Sequence, residues 1–223
     1  MGTRATRLAA LSGVVFVVLI IASFAVASPP STGSSAAKVQ QYFLDHKHQM
    51  GVSALLSGLS VVFGLCFFGY LRAYFNKYPG VRWLSSIFFA GAIVFAMGGV
   101  ITAGFASAAS DDPGALNASS LQLLNYLGSD VGYGALVTGT AILYLAAGFI
   151  IYKSRALPVW LAWVSWVLGV LSASFILGFL AFTAMGPWAL VVSILLASRN
   201  PSLEADETGT VGEAVDRLRA TSH

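Results

Sequence analysis

Apolar residues along this chain come in long blocks, and the polar stretches between the blocks hold the charges. A helix that crosses a bilayer needs roughly 20 mostly apolar residues, because the hydrocarbon is about 30 Å thick and each residue rises about 1.5 Å. Blocks at 8–27, 52–71, 84–107 and 131–152 each meet that length. The last block, 157–198, runs for 42 residues without a charge and is too long for one crossing. It predicts helices over 157–176 and 179–198, with the turn between Ser172 and Gly178 and Pro187 kinking the second helix. A turn at Gly186-Pro187 is the alternative and would make the two helices very unequal. The pattern thus predicts an all-α bundle of six transmembrane helices over residues 1–199. The polar tail, 200–223, is too short to bury a core and is expected to be disordered, with at most two helical turns near 211–219.

Composition fits the same picture. Of 223 residues, 57% are hydrophobic and 9% charged, with a mean hydropathy of +0.79. Soluble domains carry about 25% charged residues, so an ordinary soluble domain is excluded and the expected partner is the lipid bilayer. Nothing in the sequence points to nucleic acid. The single cysteine, Cys66, lies in the run GLSVVFGLCFFGYL. It can form no intrachain disulfide and no Cys-based metal site, and it reads as small apolar filler.

The position of the cations says more than their net excess of +3. Arg4, Arg7, Arg72, Lys77, Arg82, Lys153, Arg155 and Arg199 fall on one side of the predicted spans, against Lys38 and Lys47 on the other. By the positive-inside rule, both termini are expected in the cytoplasm. Tyr70, Tyr74, Tyr78 and Trp83, and the trio Trp160, Trp163 and Trp166, fall where aromatic anchors belong. The first block also has the outline of a secretory signal peptide, with Ala25-Val26-Ala27 as a cleavage site before Ser28. Its apolar run is longer than a signal core and Pro29 follows closely, which favours a retained span, with removal at Ser28 the alternative.

Two polar connections could carry structure. In 28–50, Ser34 or Ser35 could cap a short helix whose Val39, Tyr42, Phe43 and His46 share a face, expected to lie on the bilayer surface. In 108–130, the turn Asp111-Asp112-Pro113-Gly114 precedes a stripe of Leu121, Leu124, Leu127 and Val131 that could run straight into the fourth span.

No predicted span holds an ionisable residue at mid-depth. That excludes a di-histidine haem site, a carboxylate proton relay, a zinc protease of the H-E-x-x-H type and a retinal Schiff base; no cofactor is expected and catalysis is disfavoured. The remaining titratable candidates are outside the spans. Asp45, His46 and His48 could ligate a divalent ion, although residues two apart diverge on a helix. Asp130, at the lip of the fourth span beside Tyr126 and Tyr133, is a candidate ligand-binding residue. Its other possible role is to favour the helix N-terminus through the dipole. A cavity lined by Asn125, Tyr126, Asp130, Tyr133, Thr138, Thr140 and Tyr144 would be needed for a binder.

Small residues four apart supply close-packing faces: Ala54 and Gly58, Ser60 and Gly64, Gly99 and Ala103, Gly128 and Gly132, Ala135 and Gly139, Ser165 and Gly169. These seams and the missing catalytic groups favour a non-enzymatic protein that packs with itself as a homo-oligomer or with a membrane partner, as a scaffold or accessory subunit. A small transporter or binder of a lipophilic molecule is the first alternative, and an enzyme working at the outer face the second. The basic-flanked first span, the stretch QYFLDHKH, Gly69-Tyr70-Leu71-Arg72 and the opening Leu157-Pro158-Val159-Trp160-Leu161-Ala162-Trp163 together resemble a family of uncharacterised six-span membrane proteins common in actinobacteria. The resemblance covers roughly 5–199 and implies a multi-pass protein of a bacterial plasma membrane. It brings no activity and no functional residue.

Overall fold

The structure, a computed structural model, describes residues 3–174 and 177–198, with side chains from Leu11 onward. Arg199 and the predicted disordered tail lie outside the described residues. The described residues are helical with no strand: α1 (Thr3–Val26), α2 (Ala36–Asp45), α3 (Lys47–Phe75), α4 (Arg82–Asp111), α5 (Ala118–Tyr126), α6 (Gly132–Ser154), α7 (Val159–Ala173), α8 (Gly178–Thr183) and α9 (Met185–Ser198). Four helical stretches are long and apolar enough to cross a membrane: Lys47–Phe75, Pro79–Asp111, Ala118–Ser154 and Gly178–Ser198. Leu11–Val26 and Val159–Ala173 are shorter apolar helices. The predicted stripe does run into its span, because a π-helical turn at Leu127–Val131 joins α5 to α6 without a break.

Local chemistry sets the boundaries. Pro79 opens a single 3-10 turn between α3 and α4, where its missing N–H costs nothing. Arg155 takes the left-handed conformation (φ 55°) that ends α6, and Pro158 then precedes α7. The predicted turn between 172 and 178 is where α7 gives way to α8. Pro187 occupies the first turn of α9, and the helical stretch is interrupted just ahead of it at the single turn residue Ala184.

The helices pack as a ring in the order α1, α3, α4, α6, α7, α9, and α9 returns to α1. Phe16, Phe68, Phe95 and Phe88 meet edge to face inside it, with centroids 6.0–6.2 Å apart. Buried hydroxyls tie neighbours together: Trp188 Nε1 donates to Ser165 Oγ (3.0 Å), Ser172 Oγ to Val137 O (2.9 Å) and Tyr144 Oη to Ala181 O (3.3 Å). Lipid gives no hydrophobic drive between helices, so closeness of backbones matters most. The closest approach is α4 on α6, antiparallel. A Cβ on Gly91 would stand 3.0 Å from Gly139 O, and one on Gly98 would stand 2.7 Å from Gly132 O. One turn further, Thr102 Oγ1 donates to Gly128 O at 3.0 Å.

Gly64, Gly99 and Gly169 likewise face Phe16, Val61 and Leu145. Gly58 is different, because nothing lies within 4 Å of where its Cβ would be. Cys66 is not packing filler either: it is exposed on the outer surface of α3.

Candidate functional site

The two polar connections fold against each other. Helix α2 buries Val39 and Phe43 (0% and 1% exposed) against Ala27, Met50, Ala109 and Leu121. This overturns the expectation that its apolar face lies on the bilayer; a second amphipathic helix, α5, covers that face. Hydrogen bonds fix the pairing: Gln122 Nε2 donates to Ser34 O (2.9 Å) and Gln40 Nε2 to Leu116 O (3.3 Å), while Tyr42 Oη donates to Ser28 O (2.8 Å) within the first connection. Asn117 starts α5 by accepting from Ser120 N at 2.8 Å. Ser35 precedes α2 without a side-chain capping bond. The result is a small cap with its own apolar core over one end of the bundle.

Beneath the cap is a cavity of about 70 Å³. Ser23 and Phe24 of α1, Ala27 just past its end, Met50, Ser53 and Ser57 of α3, Thr102 and Phe105 of α4, and Leu124, Asn125, Gly128 and Ser129 line it. Asn125 is the residue to note. It is 5% exposed, and its Nδ2 donates to Pro30 O at 3.0 Å, pinning residues 28–34 to α5. That bond fixes which way the amide points and leaves Oδ1 buried with no hydrogen-bond partner among the described residues. Ser53 Oγ is already committed to Ser23 O and Ala27 O, and Ser23 Oγ to Ile20 O. The hydroxyls of Ser57 and Ser129 make no bond among the described residues. The π-helical turn brings Gly128 and Ser129 to the cavity wall; such turns loosen the backbone ladder and recur at functional sites.

The other predicted site residues do not converge on this cavity. Tyr126 is half exposed, and the exposed Asp130 lies beside its hydroxyl; hydrogen bonding and then charge from that carboxylate raise the Tyr126 phenol above its ordinary value. Tyr133 turns toward α8, with its Oη 3.2 Å from where a Gly178 Cβ would be. Thr138 is exposed, Thr140 Oγ1 donates to Leu136 O, and Tyr144 is taken by Ala181. Asn125 alone of that set reaches the cavity. Asp130→Asn is therefore expected to change stability by less than about 0.5 kcal/mol. The same change should lower the Tyr126 titration toward about 10, as read by NMR of labelled tyrosine. A cost of several kcal/mol would show that Asp130 is part of a buried site.

The proposed metal set is dispersed too. Asp45 accepts from Gln41 Nε2 (2.9 Å), while His46 stacks on Tyr42 with centroids 4.3 Å apart. His48 lines a shallow groove with Lys47 and Asp111. Among the described residues, no three of His, Cys, Asp and Glu come together to hold a metal ion. Reading the sequence by its ionisable groups missed Ser57, Thr102 and Ser129. Their one advance signal was a hydroxyl inside or at the lip of an apolar block. No family model, curated protein or solved structure matches this chain.

Proposed function

We infer that this is a multi-pass protein of a cell membrane that holds a lipophilic molecule in the cavity under its cap. One observation carries the reading: Asn125 lines the cavity, and its buried acceptor Oδ1 takes no hydrogen bond among the described residues. An unpaired buried acceptor costs about 1–3 kcal/mol. The cavity is several times the roughly 10–15 Å³ that a water needs, so there is room for a bound donor group. Most of the small-residue seams that favoured a scaffold are used within the chain, since Gly64, Gly99, Gly128, Gly132, Gly139 and Gly169 have internal neighbours and Gly58 is the exception.

Extraction of the wild-type protein in native-lipid nanodiscs, followed by mass spectrometry of its lipophilic extract, tests the reading. A compound near one per chain in wild type should be lost in Asn125→Leu, at unchanged protein yield. Identical extracts from the two proteins would overturn it.

The finer topology is six spans with both termini cytoplasmic, supported by the six apolar helical stretches and the asymmetry of the cations. The cap then lies outside. Reporter fusions at residue 78 and after 199 should report cytoplasm, and one near 115 should report the outside. An outside signal at 78 would reverse the arrangement.

A further inference from the structure

Next to the Asn125 cavity is a second void of about 50 Å³, walled by Phe16, Ile20, Phe95, Leu136 and Phe182. Phe24, Ser57 and Thr102 line both. Of the hydroxyls lining the second void, Ser60 Oγ donates to Ser57 O (2.7 Å) and Thr102 Oγ1 to Gly128 O (3.0 Å), and only that of Ser57, shared with the first void, makes no bond among the described residues. The first void therefore adds to the shared Ser57 hydroxyl that of Ser129 and the side chain of Asn125, whose Oδ1 takes no hydrogen bond among the described residues, while the rest of its neighbour's wall is apolar or already bonded. Neither is lined by Asp, Glu, Lys, Arg or His. A carboxylate, phosphate or ammonium there would lose its water without a counter-charge, at several kcal/mol. A hydroxyl fits, since it can donate to Asn125 Oδ1 and accept from Ser129.

Size narrows the choice. Both voids are small beside a cavity of about 150 Å³, which holds one benzene ring. A sterol or a two-chain lipid is excluded, whereas a head group and its first few carbons can enter. The rest of the chain needs a way out, and Phe24 provides the direction. It forms a wall of both voids, is 54% exposed, and rests edge-on against Phe182 at 6.2 Å.

We propose that the site takes a neutral single-chain amphiphile with a terminal hydroxyl, a long-chain alcohol by class. Its head sits between Asn125 and Ser129, and its chain leaves past Phe24 into the bilayer. This rests on the binding reading above and adds the identity of the head group and the route of entry.

The test uses the full chain in nanodiscs with radiolabelled 1-dodecanol, empty nanodiscs subtracted, and dodecanoic acid and dodecane as competitors. Saturable dodecanol binding is expected, with both competitors at least tenfold weaker. Asn125→Leu should weaken dodecanol about tenfold, or 1.4 kcal/mol. Ser129→Ala, which alters a part-exposed residue, supplies the same comparison should Asn125→Leu fail to fold. Equal binding of dodecanol and dodecane, or tighter binding of the acid, would overturn the head-group assignment and leave a lipophile site standing. No saturable binding of any of the three would overturn both.

Discussion

Gly139→Leu is expected to yield no folded protein. A Cβ at this position would collide with the Phe95 backbone nitrogen and stand 2.7 Å from Gly91 O. Neither is a side chain that can rotate away, so α4 and α6 must separate along the closest interface in the bundle. Overpacking a core costs about 1–3 kcal/mol when side chains can adjust. With backbone on both sides the cost should reach about 3 kcal/mol or more, a large share of the roughly 5–15 kcal/mol that holds a typical protein folded. Gly58→Leu is the control, because its Cβ would meet nothing within 4 Å. Yield and Tm in mild detergent should collapse for Gly139→Leu and hold for Gly58→Leu. Equal Tm values would mean that the α4–α6 contact is not where the structure places it.

Phe43→Ala should detach the cap without unfolding the bundle. Phe43 is 1% exposed and fills the space between α2, α5 and the start of α3. Truncating a buried Phe to Ala costs about 3–5 kcal/mol, and the cap's separate core gives that loss a local outlet. Amides of 36–45 and 118–126 should exchange hydrogen much faster, those of 132–154 should keep their protection, and any co-purifying lipophile should be lost. Leu44→Ala, one residue along and 46% exposed, should leave exchange nearly unchanged. Similar exchange in the two variants would restore the expectation that this face meets lipid.

Those two residues also mark how far the sequence could be read. Gly132 and Gly139 stand out because small residues four apart share a helix face, but their partners Gly91 and Gly98 are seven apart and carry no such signal. The face of α2 was visible as a stripe, yet an apolar stripe looks the same whether lipid or protein covers it. What decides the matter is α5, some eighty residues later in the chain. The candidate site was missed for a different reason. A search by charge leads to Asp130 and the histidines, which are solvated or stacked on Tyr42. The group that matters is a neutral amide, and its orientation depends on a bond to Pro30, 95 residues away.

An experimental structure of the full chain in lipid nanodiscs, at a resolution that shows ordered water, tests the central claim most directly. The account predicts elongated non-protein density that begins at hydrogen-bond distance, about 3 Å, from Asn125 Oδ1 and continues past Phe24. Density for isolated water alone at that oxygen, or a protein group donating to it, would contradict the assignment of this cavity as a binding site.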